Sequence, residues 1–563
     1  MEAGPIEVTG GSLFVLASVQ LALTAAPGVA AVLLGLRLGA RREPVLLALA
    51  LAASGLGAML TFWVYYANQG AGGPCAYALF FGSFAVGVWS WREASRHRDL
   101  LRRLSVPLGL WALGSLFVIF FGFLHGGTQA AAETAATRFS TQPTQFGSDN
   151  FIPLFFSEWM FAGHPGPPPV FPPDWLFSDR PPLQVAYILT QHIFGWDTMT
   201  LHYELLGVML QQLWIVGMWA LLRAAGVSSR TRALAMVAAL LSEVAIVNAF
   251  FVWPKLLGAA FLVAALALVA SPRPGVLREQ PWTVVLIGAL VGLAFLSHGT
   301  SLFGVVPIAA LGLWRGLPGW RWLAAGATAF LILVLPWIAY QHYGDPPGNR
   351  LLKWHLAGVV QIDDRGVLEA TRDEYGRVGL GGALENKLDN FLEMAGGDFA
   401  PPNLDRLPHG DVVAETGDVI GGLAEGRFGA AASKVRETMH WHLLWSPGLL
   451  LLALPLIAFG RWRDRQPDDE DWRFARLCLL FVAIGAFAWG LIMFGNGVAR
   501  TYVSTGTLAM PLLMIVGLVA GLRATYPRWA GWLVAADVLA VLVVYTPTLT
   551  TPHGGYWGFA AFG

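Results

Sequence analysis

"FFVWPKLLGAAF", Phe250 to Phe261, decides how the chain is read. A proline cannot sit inside a helix, but it starts one well, because the first-turn N–H groups have no partner anyway. After Pro254 the run 253–271 is apolar apart from Lys255. About twenty such residues cross a hydrocarbon core of about 30 Å. A lone ammonium at the end of a span has two readings. It snorkels to the surface beside Trp253, or it serves a site, the default for an ionisable residue within a span. The sequence leaves both open.

The rest of the chain repeats the pattern. Of 563 residues, 55% are hydrophobic and 13% charged, with a mean hydropathy of +0.56. A soluble chain carries about a quarter charged residues. The reading is an all-α polytopic membrane protein with about fourteen transmembrane helices, running from 12–38 to 528–546. Residues 182–195, "PLQVAYILTQHIFG" from Pro182, are too short to span and predict an amphipathic helix at the interface. The N-terminus, "MEAGPIEVTG", lacks a basic leader region, so the first run is expected to be a retained span. Cys75 and Cys478 lie in different apolar segments and read as core packing.

Arginine sets the orientation. Clusters at Arg41/Arg42, Arg102/Arg103, Arg223, Arg278, Arg321, Arg461 and Arg523 fall in alternate connections. The positive-inside rule makes these cytoplasmic and puts both termini outside. Three parts follow: a transmembrane module, 1–341, with an external loop at 126–198; an extracytoplasmic cap, 342–446; and C-terminal transmembrane helices, 447–563. Neither a repeat of 20–50 residues nor an inverted pair of broken spans is evident, which speaks against a transporter.

Candidate chemistry gathers at the outer boundary. "FGSDNFIPLFF" puts Asp149 among apolar residues, either as turn chemistry or as a general base for an acceptor hydroxyl. "WLFSDRPPLQ" offers Asp179 as a helix N-cap and Arg180 as an interfacial anchor or phosphate ligand. "LAFLSHGTSLFG" carries His298 at an outer turn, as a satisfied buried histidine or a ligand. "PPGNRLLKWHLAG" adds Arg350, Lys353 and His355, and "FGNGVARTY" adds Arg500. Cations at headgroup depth suit a lipid-linked phosphate. No nucleotide-binding glycine loop is present, which argues against a soluble nucleotide-sugar donor, and no nucleic-acid partner is expected. No cofactor is predicted, and no HExxH or CxxC motif supports a divalent metal.

The "SDN" at Asp149, followed by "DRPPLQ" with its turn at Pro181–Leu183, resembles the GT-C superfamily of polytopic glycosyltransferases. The likeness is to its aminoarabinose-transferase and protein O-mannosyltransferase branches. It implies an inverting membrane glycosyltransferase. A sugar would pass from a polyprenyl phosphate to a hydroxyl on a glycan, lipid or protein, on the extracytoplasmic face of the cytoplasmic (inner) membrane. It implies Asp149 as catalytic base and Lys255, Arg180, Arg500 and His298 as donor-phosphate ligands. Glu158, Asp174 and Asp179 are the other carboxylates near the motif, and Arg350, Lys353 and His355 the additional candidates. The alternatives are an O-antigen-type ligase or polymerase, working through an arginine/histidine pair, and a lipid or polysaccharide transporter.

Overall fold

The computed structural model describes residues 10–126, 152–164, 166–169, 175–194, 199–270, 276–316, 318–395, 421, 424, 443–462, 469–495 and 507–545. Among them 84% are helical and there are no strands. In the first third lie α1 (Gly10–Arg37), α2 (Glu43–Ala67), α3 (Gln69–Ala94), α4 (Arg98–Gly126), α5 (Ile152–Phe161) and α6 (Leu183–Gln191). Next come α7 (Met199–Gln211), α8 (Trp214–Ala224), α9 (Ser229–Leu240), α10 (Glu243–Phe250) and α11 (Lys255–Val269). They are followed by α12 (Thr283–Ser297), α13 (Leu302–Arg315) and α14 (Trp320–Tyr343). The expected cap segment contributes α15 (Arg350–Ala357) and α16 (Val367–Met394). The chain continues with α17 (Ala453–Trp462), α18 (Glu470–Ile492), α19 (Ala509–Thr525) and α20 (Pro527–Tyr545).

Local chemistry starts these helices. Ser228, Ser242 and Asp469 each take a first-turn N–H onto a side-chain oxygen, at 3.3, 3.3 and 2.8 Å. Such caps satisfy donors that would otherwise be stranded. Among the described residues, six helical segments are long and apolar enough to cross a membrane, or seven when the pair α9–α10, bent by 47°, counts as one span. The fold is therefore that of a helical, multi-pass membrane protein. The expected spans 74–91 and 107–125 fall in one segment, Gln69–Gly122. Its 54 residues far exceed one crossing at about 1.5 Å per residue. Helices α11, α12 and α13 have 15, 15 and 14 residues, short of a full crossing by themselves.

Helix α11 is the axis of the core, and every residue from Lys255 to Val269 is buried. It packs on α2, α8, α12 and α13. Small residues let backbones close up, as membrane interfaces require. A Cβ on Gly217 would stand 2.5 Å from the Ala260 carbonyl, and one on Gly288 would collide with the Gly326 carbonyl. Helices α18 and α19 pack on each other and reach α13 and α9.

Two ends of the molecule are marked by different residues. The last turn of α11, at Ala267 and Leu268, lines a cavity with Arg41, Arg42, Arg103 and Arg223. The first residue of α11 is Lys255. Helix α12 repeats this, with Thr283 at the arginine cavity and His298 just past its other end. Arginines from three of the expected cytoplasmic connections thus meet at one pole. Lys255 and His298 lie about 22 Å away, at the rise of an α-helix.

Two expectations need correction. The 182–195 segment does form a helix, but α6 is buried from Leu183 to Gln191 and does not lie on a surface. Its neighbours α2, α5 and α3 enclose it, so its polar residues find partners inside. Gln184 donates to the Val252 carbonyl at 2.9 Å and Tyr187 to Ser54 at 2.9 Å. Asp179 does not cap α6. The cap position is Pro182, with no side-chain bond, because Asp179 is turned toward the backbone of Leu176 and toward Arg350.

Candidate functional site

The site is built on the turn Phe177–Asp179. Asp179 Oδ2 accepts the Leu176 N–H at 2.9 Å, which closes the turn. The same oxygen accepts from Arg350 Nη1 at 3.1 Å, with both side chains almost wholly buried. Asp179 Oδ1 has no hydrogen-bond partner among the described residues. Burial pushes this carboxyl up, against the Leu176 N–H and the Arg350 and Arg180 charges. The end of α14 holds the turn from the other side. Asp345 accepts the Ser178 N–H at 2.7 Å, and Gln341 donates to the Ser178 carbonyl at 2.9 Å. Phe156 of α5 stacks on Phe177 at 4.7 Å.

Cations and tryptophans alternate around this turn. The Arg180 guanidinium lies 4.5 Å from the Trp175 ring and 5.8 Å from Trp253. Arg350 lies 4.8 Å from Trp175 and 5.4 Å from Trp354, and those two rings stack at 5.7 Å. Lys255 Nζ sits 3.9 Å from the Trp253 ring. Trp253 meets His298 edge-on at 5.6 Å. Aromatic faces stabilise cations without cancelling their charge, so the array keeps a positive potential.

The backbone before Lys255 is strained. Val252 has φ +51°, rare for a β-branched residue and costing about 1–3 kcal/mol. The Gln184 bond to its carbonyl and close packing against Gly207 hold it there. This kink separates α10 from α11 and turns Trp253 and Lys255 into the array.

Two imidazoles complete the array. His298 Nδ1 is an acceptor for the Thr300 N–H at 3.2 Å, which leaves Nε2 to carry the ring proton. The fixed charges bearing on His298 are those of Lys255 and Arg180. His355 is reached by Arg180 and Lys255 in turn. Removal from water first, then those two charges, brings the His355 imidazole down to about 4. It is therefore neutral at pH 7, and its Nδ1 has no hydrogen-bond partner among the described residues.

The structure thus brings together Arg180, Lys255, His298, Arg350, His355 and Asp179. Lys353 serves elsewhere: its ammonium donates to the carbonyls of Asp363 and Arg365 and secures the loop after α15. Glu158 is exposed on α5. Asp149, Asp174 and Arg500 lie outside the described residues. No group of three metal-ligating side chains occurs among the described residues. The sequence reading passed over Trp175 and Trp354, whose interleaving with arginine was the available signal. It also passed over Glu204, buried in α7 with neither carboxylate oxygen hydrogen-bonded among the described residues.

Comparison with protein-family models, with curated proteins and with solved structures returned no match.

Proposed function

We propose that the chain is a GT-C-type membrane glycosyltransferase. It moves a sugar from a polyprenyl phosphate to an acceptor hydroxyl on the extracytoplasmic face of the cytoplasmic membrane. The observation that carries this reading is the array of Arg180, Lys255 and Arg350 between tryptophans, at the pole opposite the arginine-rich connections. Fixed cations stabilise charge as it develops on a departing phosphate. His298, with its proton on Nε2, adds a neutral donor. Arg500 is proposed as a further phosphate ligand. The segment 342–446 is proposed to help choose the acceptor, and Arg350 of α15 reaches the site from it.

Asp149 is the proposed base. It precedes α5 by three residues, a tether of about 10 Å, and α5 is stacked on the site turn through Phe156. In the transfer step the base takes the hydroxyl proton. The acceptor oxygen bonds to the anomeric carbon, and the carbon–oxygen bond to the polyprenyl phosphate breaks, its electron pair leaving with the phosphate.

The test measures polyprenyl-phosphate binding by the protein in nanodiscs, then sugar transfer. Lys255→Met should weaken lipid-phosphate binding by about ten- to a hundredfold, since a charge-assisted contact is worth about 1.5–3 kcal/mol. Asp149→Asn should bind normally but lose about 10²–10⁴ in transfer rate. Unchanged binding by Lys255→Met would sink the reading.

The ligase-type alternative, which also moves sugars from a polyprenyl carrier, gains from one observation. His355 is neutral, with Nδ1 lacking a partner among the described residues, on the same helix as Arg350. A dead His355→Gln beside an active Asp149→Asn would put that reading first.

A further inference from the structure

The opposite pole holds a second arrangement that sugar transfer does not use. A cavity of about 340 Å³ opens there between the N-terminus of α2 and the cytoplasmic-side ends of α4 and α8. Arg41, Arg42, Arg103 and Arg223 line it, against one carboxylate, Glu43. Glu43 is buried and accepts from Arg223 Nε at 3.0 Å and Trp219 Nε1 at 3.0 Å, with Arg103 Nε at 3.6 Å. Arg42 Nη1 donates to Gln280 at 3.1 Å and Arg41 Nη1 to the Ala40 carbonyl at 3.0 Å. Each guanidinium is thus positioned through one nitrogen, and four positive groups face one negative group. The positive end of the α2 dipole adds to the excess.

Farther along, the same three helices line an apolar groove of about 290 Å³. On α4, Leu100 and Arg103 line the cavity, while Leu101, Leu104 and Leu108 line the groove. On α2 the step is from Val45 to Leu47 and Leu51, and on α8 from Arg223 to Val216. A second apolar groove, between α1 and α3, shares Ala25, Val29, Leu33 and Trp91 with the first. One polar, cationic cavity therefore lies on the same helices as an apolar groove, and that groove shares a wall with a second.

We infer that this pole is a binding site for one anionic diacyl phospholipid of the cytoplasmic leaflet. The phosphate sits among Arg41, Arg42, Arg103 and Arg223, and the acyl chains occupy the two grooves. Charge complementarity selects the anionic headgroup. The paired grooves select a diacyl lipid over a free phosphate or a single-chain carrier. The inference does not depend on the proposed transfer reaction.

The experiment reconstitutes the full chain in nanodiscs of phosphatidylcholine, with and without phosphatidylglycerol. Thermal unfolding is followed, and the lipids retained after detergent extraction are counted by native mass spectrometry. Wild type should keep one phosphatidylglycerol and unfold at a higher temperature when it is present. Arg42→Gln/Arg103→Gln should bind it about thirtyfold more weakly, at about fivefold per arginine near a headgroup. Arg103→Gln alone, at a half-exposed position, should show about fivefold and keep the fold. Val29→Trp, at an exposed position on the shared groove wall, should reduce retention with the arginines intact. Arg96→Gln, an exposed arginine paired with Glu93 outside the cavity, should change nothing. Equal retention of phosphatidylcholine, or unaltered retention by the double variant, would overturn the inference. Equal stabilisation by millimolar inorganic phosphate would assign the cavity to a free anion and overturn it as well.

Discussion

Asp179→Asn is the perturbation the structure constrains most tightly. The carboxylate stands 3.1 Å from Arg350 Nη1, with side-chain exposures of 1% and 2%. At an effective dielectric of about 20, charges at that separation attract by about 5 kcal/mol. Desolvation cancels much of this in the intact pair, but removing one partner strands the other. The cost of breaking a buried pair is about 3–5 kcal/mol. Arg350 keeps its Val360 carbonyl at 2.9 Å and its two tryptophan faces, so the lower half of that range is expected. Unfolding entropy of about 2.1 cal/mol/K per residue makes 1 kcal/mol equal to roughly 1 °C for a chain this long. The melting temperature in nanodiscs should therefore fall by about 3–4 °C. A double-mutant cycle with Arg350→Gln is the sharper assay. The double variant should cost about 3 kcal/mol less than the sum of the singles, since each single already abolishes the pair. Costs that add to within about 0.5 kcal/mol would show that the pair does not seat α15, and would refute the reasoning.

Two further outcomes follow from α15. His355 is held near 4 against an ordinary value of about 6.5, so between those values an unfolded chain binds a proton that the folded one refuses. Its contribution to stability is present above about pH 6.5 and is lost as pH falls toward 4. A bound phosphate pulls the imidazole back up, so polyprenyl-phosphate affinity should rise from pH 7 to 5, and His355→Gln should flatten the profile; a flat wild-type isotherm series contradicts this. Gly358 ends α15 at φ +74°, and a Cβ there would stand 2.5 Å from the Phe494 ring. Gly358→Ala should destabilise by more than about 1 kcal/mol, seen as a lower melting temperature with weakened phosphate binding; an unchanged protein would show that this seat does not position Arg350.

Helical class and the gathering of arginine-bearing connections at one pole were legible because both rest on local counts. Apolar run length reports spans, and arginine alternation reports poles; Arg42, Arg103 and Arg223, from three connections, do meet in space. Interior packing was not legible. The α6 sequence looks amphipathic because Gln184, Thr190 and Gln191 punctuate it, yet the two glutamines find partners in remote segments, Tyr203 and Val252 for Gln184 and Thr24 for Gln191, while Thr190 donates to the Ala186 carbonyl within the helix. Periodicity cannot separate a polar face turned to water from one turned to buried hydrogen-bond partners. Asp179 misled in the same way. Ser-Asp before Pro-Pro is good capping chemistry, but an arginine 171 positions away competes for the oxygen and wins by charge. The distribution of site residues was visible as a convergence on one boundary, whereas Trp253 was read as a generic interfacial belt residue and Trp175 and Trp354 were passed over.

For Lys255, burial weighs against one of the two sequence readings, the snorkelling anchor. A snorkelling lysine lies along a lipid-facing helix and lifts its ammonium into the headgroup water. That requires an exposed stem and head. Lys255 is 5% exposed, and α11 has no face outside the protein. Its ammonium lies against Trp253, itself 5% exposed and in contact with His298, so the belt reading of that tryptophan fails with the anchor reading of the lysine. An enclosed cation, aimed by a strained Val252 and shared in its electrostatics with Arg180 and two imidazoles, costs folding energy that a membrane anchor would not require. Lys255→Met separates the cases: loss of a mere anchor leaves phosphate binding intact, whereas loss of a site cation removes it while the apolar core of α11 tolerates the methionine.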